Sequence, residues 1–248
     1  MSNTAIQEEA VLRRDLAAAY RLAAMLGWED TIYTHFSVRL PDIDNTARFL
    51  INPFGLMFDE IKASDLVIVD VNGKILEGDA DYNLAGFTIH SAVHTARDDA
   101  HCVMHTHTIP GMALAACNDE ILMLNQISTE FYKKLGYHNY EGVAWNLEER
   151  QRIQHSLGDN IGLVLRNHGL LSVGETVADA FQIMYYLNKA CEIQLATAQM
   201  AGLTKVTPIP EKLAAYVNSQ FKSVEHERHV VWQAWLRKLE RIDPSYKD

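Results

Sequence analysis

The sequence predicts a layered α/β fold in a single domain, and three observations carry that expectation. Strand-type and helix-type hydrophobic periodicities alternate up to about residue 200, the pattern of strands covered by helices. The 248 residues are 48% hydrophobic and 22% charged, enough apolar material for one sizeable core. No internal repeat or low-complexity tract divides them. One domain therefore spans 1–248, with its core at about 10–200 and a helical C-terminal extension at 211–240.

The elements follow in order. Over 6–26, apolar residues recur at three and four (Leu12, Leu16, Ala19, Ala23, Leu26) and Gly27 stops the helix. Short strands are expected at 34–40 and 49–51 around a turn at 42–45. The run 66–71 alternates and meets Asn72-Gly73, a hairpin signal, with 74–76 returning. Helical spacing returns at 84–96, followed by an apolar strand at 100–107. Pro110 suits the first turn of a helix reaching about residue 116. Asn146 and Glu149 have capping-box spacing for a helix to 157. Strands at 162–167 and 170–173 flank His168-Gly169, and Thr176 with Asp179 opens a long helix to about residue 200. The linker 202–210 leads to one or two helices carrying Trp232 and Trp235, which pack back on the domain or meet a neighbouring subunit.

The net charge of −10 and the lack of a Lys/Arg cluster exclude nucleic acid and anionic membranes as natural partners, since both need a basic footprint. The N-terminus has no secretory pattern, and no stretch of about 18 apolar residues is present. Cys102, Cys117 and Cys191 are widely spaced and odd in number, which reads as buried reduced thiols in a cytoplasmic protein. A small-molecule substrate and other protein chains remain as partners.

His105-Thr106-His107 lies at the end of the apolar strand Cys102-Val103-Met104, where residues i and i+2 share a face. Two imidazoles on one face form a pincer for a borderline metal, although an HxH alone also describes an incidental hydrogen-bonded pair. His168 ends a second apolar strand beside Gly169, a residue suited to positive φ or close backbone approach. Three histidines leave one position open, the plan of catalytic zinc sites. Imidazole suits zinc, manganese, iron, cobalt and nickel, so the ligand type does not name the ion. Cys102 lies three residues before His105 and therefore on the opposite strand face. His90 and His94 share a helix face, but Ser91 stands where a zincin has its glutamate, so they read as partly buried helix residues. His226 and His229 read as a solvated helix face.

At these residues the sequence resembles the class II aldolase/adducin family, over about residues 10–200. The resemblance runs closest to the adducin-like branch, through Asn52-Pro53-Phe54-Gly55-Leu56, Ala85-Gly86-Phe87-Thr88-Ile89-His90 and Arg166-Asn167-His168-Gly169-Leu170. It implies a three-layer α/β/α sandwich with a mixed, largely antiparallel sheet. It also implies one divalent transition metal per chain, zinc first with manganese or iron as the other choices, held by His105, His107 and His168. A homotetramer with active sites at subunit interfaces is the family's usual assembly.

The departures from the sugar-phosphate aldolases bear on substrate. Their acid/base glutamate falls at Gly86, their phosphate-binding hydroxyls at Leu84 and Ala85, a Thr-Gly contact at Phe54-Gly55 and a loop asparagine at His35. A dianionic phosphate left against such groups would be unpaired. Phe54, Gly55 and Gly86 are then expected to line a flatter, more apolar substrate site. The resemblance thus implies a metal-dependent carbon–carbon lyase, cleaving aldols or decarboxylating, on a non-phosphorylated carbonyl or hydroxy-carboxylate compound. The other reading is a non-catalytic adducin-like assembly module with a retained metal. Candidates to move the proton are Glu130, His35, Tyr132 and Tyr140. Glu130 is either a base or extra metal ligand, or a helix-start residue favoured by the dipole, and Tyr140 is either chemistry or packing.

Overall fold

The computed structural model describes residues 3–43 and 46–248, and helix α1 (Asn3–Met25) opens it. Gly27, at φ 70°, takes the left-handed conformation that ends a helix. An antiparallel ladder follows, made of β1 (His35–Ile43), β2 (Thr46–Ile51), β3 (Val67–Asp70) and β4 (Ile75–Glu77). The expected hairpin joins β3 to β4 with Gly73 at φ 87°, while residues 44–45 of the expected 42–45 turn lie outside the described residues. Helix α2 (Leu84–Ala96) begins on Asn83, whose side chain accepts from the backbone N–H of Ala85 and Gly86. Next come β5 (Cys102–Thr106) and α3 (Ile109–Ala115), the latter with Pro110 in its first turn as the sequence predicts.

Strand β6 (Leu135–His138) has no counterpart among the expected elements. Four residues including Gly136 carry too little periodicity to read. It is recruited by β7 (Gly162–Leu165), which it joins in parallel register from Leu135↔Gly162 to His138↔Leu165. Between them lies α4 (Glu149–Leu157). Its expected capping box does not form: Asn146 Oδ1 accepts from the N–H of Glu148, and Glu149 turns inward to His138 Nε2 at 3.4 Å. β8 (Gly169–Gly174) returns antiparallel to β7, and α5 (Val177–Met200) starts on the Thr176 side chain, which accepts from the N–H of Asp179 as expected.

The strand order is β4-β3-β2-β1-β5-β8-β7-β6, and β6–β7 is the one parallel pair among the described residues. The sheet is mixed and largely antiparallel, as the family resemblance implies. Alternate residues along its strands face two helical layers. Phe36, Val38, Cys102 and Met104 share one core with α1 and α5, whereas Val103, Leu163, Leu165 and Leu171 share another with α2 and α4. The three-layer architecture follows directly from that alternation. Helices α6 (Glu211–Ser223) and α7 (Glu227–Ile242) pack back on this chain, with the Trp232 and Phe181 rings 5.5 Å apart. Among the described residues no helix is long and apolar enough to cross a membrane. Cys102 and Cys191 are buried as expected, but Cys117 is exposed, because it falls just beyond the short helix α3.

Candidate metal centre

His105 lies near the end of central strand β5, opposite Leu171 of β8, on the face that carries α2. His107 follows just past the strand end, and His168 sits in the β7–β8 turn. That turn places Asn167 at φ 55°, so the positive φ falls two residues before Gly169, where the sequence suggested it. Gly169 serves close approach instead: a Cβ there would strike the Thr106 carbonyl and lie 3.0 Å from His107 Cδ2.

The three rings converge. His105 Nε2 is 2.8 Å from His107 Nε2 and 3.2 Å from His168 Nε2, and one ligand atom from each lies within 4.8 Å of the others. Nitrogens about 2.0–2.1 Å from one tetrahedral ion stand about 3.3 Å apart, close to these separations. Cys102, buried in the opposite core, takes no part, as its strand position dictates. Among the described residues this is the one His/Cys/Asp/Glu group with metal-binding spacing.

The other ring nitrogens decide what the Nε2 atoms are. His105 Nδ1 lies 2.9 Å from the Leu170 carbonyl, and His107 Nδ1 lies 2.8 Å from Asp30 Oδ2. Both partners only accept, so both Nδ1 atoms carry the hydrogen and both Nε2 atoms are lone pairs. Two lone pairs 2.8 Å apart repel unless a cation sits between them. Burial, and then repulsion from the neighbouring imidazoles, holds His105 well below the usual histidine range, and burial pushes His168 down to about 4. His105 and His168 are therefore neutral at pH 7, the state that binds a metal. The residues present fit a divalent transition ion. Asp30 was not legible in the sequence, because it lies 77 residues before the histidine it orients. It stands where a carboxylate would orient an imidazole bound to a metal.

Beside the histidines opens a cavity of about 630 Å³. His35, Phe54 and Tyr140 line it with His107 and His168, together with Leu84 and Ala85 from the start of α2. Gly55 and Gly86 do not line it. Gly86 is buried beneath the His35 ring, where a Cβ would come 2.5 Å from His35 Cδ2. Glu130 lies elsewhere. It is buried in a single 3-10 turn (Ile127–Phe131) and paired with Arg228 of α7 at 2.9 Å, so within this chain it supplies the histidines with neither base nor ligand. Burial raises its pKa, and Arg228 opposes that rise. Tyr132 donates to Glu211 at 2.5 Å, also outside the cavity. His90 and His94 are fully buried under the sheet and apart from the triad. His226 and His229 are exposed, as expected.

The pattern of the class II aldolase and adducin N-terminal domain matches residues 14–195. A provisionally named aldolase class 2 protein of Pseudomonas aeruginosa is 45% identical over 241 residues, 95% of this chain and 91% of that protein. Rat alpha-adducin (Rattus norvegicus) is 42% identical over 198 residues, 78% of this chain but 26% of the adducin. Among solved structures, an aldolase II superfamily protein from Pseudomonas syringae superposes with a TM-score of 0.91 at 45% identity, covering 100% of this chain and 98% of that one. The L-fuculose 1-phosphate aldolase of Glaciozyma antarctica does so at 0.86 and 28% identity, covering 100% and 96%.

Proposed function

As this chain belongs to the class II aldolase and adducin N-terminal domain family, we propose that it is a metal-dependent carbon–carbon lyase. Its substrate is a non-phosphorylated carbonyl or hydroxy-carboxylate compound, split by aldol cleavage or decarboxylation. The observation that carries this reading is the convergence of three imidazole donors, with no fourth protein ligand among the described residues, beside a cavity that His107 and His168 line and that is large enough for a small organic molecule. A divalent ion held by His105, His107 and His168, zinc in the first instance, would supply Lewis-acid stabilisation of charge developing on a substrate oxygen.

The chain's own residues divide the remaining work. Asp30 and the Leu170 carbonyl keep His107 and His105 aimed inward. Phe54 and Tyr33, with ring centroids 6.2 Å apart, offer an apolar wall that excludes water. His35 and Tyr140 line the cavity and are the groups proposed to hold or move a proton; Glu130 is withdrawn from that role by its place against α7. The case against a phosphate rests on donors. No lysine or arginine is among the described lining residues. The N-terminus of α2, otherwise an anion site, is already capped, with Asn83 Oδ1 accepting from Ala85 N–H at 3.0 Å and Gly86 N–H at 3.2 Å. Three free cysteines support a reducing, cytoplasmic setting. A homotetramer with interfacial sites is proposed from family membership; the apolar rim of Tyr33, Val143 and Trp145 around the cavity suits a neighbouring subunit.

A second reading, a non-catalytic assembly module, draws on the 42% identity to alpha-adducin. Metal analysis and a substrate screen decide. Purified protein is expected to hold one transition ion per chain, lost in His105→Ala and in His107→Ala, and to cleave members of a panel of keto-acids, aldols and aromatic hydroxy-acids. Fuculose 1-phosphate and ribulose 5-phosphate are expected to remain intact. Unchanged metal content in the variants removes the metal site, and efficient cleavage of either phosphate removes the substrate assignment.

A further inference from the structure

Below the cavity, four buried polar side chains form a continuous line between α2 and β1. His94 Nδ1 is 2.9 Å from the backbone carbonyl of Ala100, and His94 Nε2 is 2.7 Å from Ser37 Oγ. Ser37 Oγ also meets His90 Nδ1, and His90 Nε2 is 2.8 Å from His35 Nδ1. Spacing makes the line possible: His35 and Ser37 share one face of β1, and His90 and His94 lie one turn apart on α2. Among the described residues no carboxylate or guanidinium hydrogen-bonds to these side chains, and burial away from water keeps the rings neutral.

One fixed end sets the direction of every bond. A carbonyl only accepts, so His94 Nδ1 carries the hydrogen. The neutral ring must then accept at Nε2, and it takes the single hydrogen of the Ser37 hydroxyl. Ser37 Oγ, its hydrogen committed, accepts from His90 Nδ1–H. His90 in turn accepts at Nε2 from His35 Nδ1–H. Neutral His35 is left with a lone pair at Nε2, an atom that hydrogen-bonds to none of the described residues, on a ring that lines the cavity. The reverse direction would set a ring lone pair against the Ala100 carbonyl.

We propose that this line is a tautomer lock, in which Ser37, His90 and His94 are positioning residues that keep a hydrogen-bond acceptor, not a donor, at Nε2 of neutral His35. The site then selects substrates that present a hydroxyl, or another hydrogen donor, beside the group that reaches the three metal-site histidines. Place supports the role: the His35 ring stacks on His105 with centroids 4.9 Å apart, and Gly86 leaves room for it there. A carboxylate or phosphate oxygen at the same point would face a lone pair and be repelled. The selection deepens the lyase reading, on which it rests for its substrate, towards hydroxy-acids and hydroxy-ketones.

Long-range proton–nitrogen NMR of zinc-loaded protein labelled with nitrogen-15 histidine reads the tautomer directly, with His35 assigned by its loss in His35→Gln. A hydrogen on His35 Nδ1 is expected, and one on Nε2 overturns the proposal. Ser37→Ala cuts the line, so His35 is expected to lose its single tautomer; an unchanged spectrum overturns the part given to Ser37, His90 and His94. The wild-type measurement stands even if that variant does not fold. Glycolate, a minimal hydroxy-acid, is expected to shift His35 Nε2 and to bind about tenfold more tightly than methoxyacetate, which lacks the donor. Equal responses to the two acids, or to neither, overturn the donor selection. None of these readouts needs turnover. The expected tautomer in a protein that cleaves nothing keeps the lock and removes the lyase reading, and the wrong tautomer in an active lyase does the reverse.

Discussion

At the scale of single residues, His107 is held from behind by Asp30 Oδ2 at 2.8 Å, and half of that carboxylate's surface is open to water. Its task is orientation more than burial. Asp30→Ala is expected to weaken metal affinity by roughly 10–100-fold while leaving folding intact, which competition against a chelating dye would measure. Unchanged affinity would show that His107 needs no such support. The His35–Gly86 pair carries a related lesson. The residue that stands where an aldolase glutamate is expected is glycine because a neighbouring ring occupies its side-chain space. Gly86 therefore belongs to the placement of His35 rather than to the substrate wall.

At the scale of elements, the C-terminal helices are tied down by charge as well as by Trp232. Arg228 of α7 reaches Glu130 at 2.9 Å and Asp179 of α5 at 3.6 Å. Removing the cation strands a buried carboxylate, so Arg228→Ala is expected to cost about 3–5 kcal/mol in chemical denaturation. Glu130→Gln with Arg228→Met should recover much of that loss. The seam between α2 and β1 has its own pH signature. Burial pushes His94 from 6.5 to about 4. The unfolded chain then takes up a proton that the folded chain refuses, and stability falls as pH drops through that window, by at most about 3 kcal/mol for this group. Urea midpoints measured at successive pH values should fall across it, and fall less in His94→Gln. A flat profile would mean that His94 charges readily in the folded state.

At the scale of the whole molecule, a three-histidine site at the edge of a finished core separates metal from folding. Each face of the sheet closes its own hydrophobic cluster without reference to the ion. Chelation is expected to abolish turnover while far-UV circular dichroism and cooperative unfolding persist. Loss of the fold on chelation would favour the assembly-module reading, in which the ion is structural.

Much of this was open to reading in one dimension. The strand–helix alternation, the Leu84–Ala96 spacing, the capped Thr176–Met200 pattern and the three histidines all announce themselves through local periodicity, capping chemistry and short motifs, because those signals lie within a few residues of each other. Tertiary structure alone decided what distance along the chain conceals. β6 became a strand because β7 pairs with it, and Asp30 joined the histidine cluster because folding brings it behind His107. Glu130 was claimed by a guanidinium 98 residues away, and His35 acquired a fixed hydrogen through partners on another element. Hydrogen bonds and ion pairs act over about 3 Å of space whatever their separation in sequence, so the three converging histidines could be named from the chain, but the groups that aim them could not.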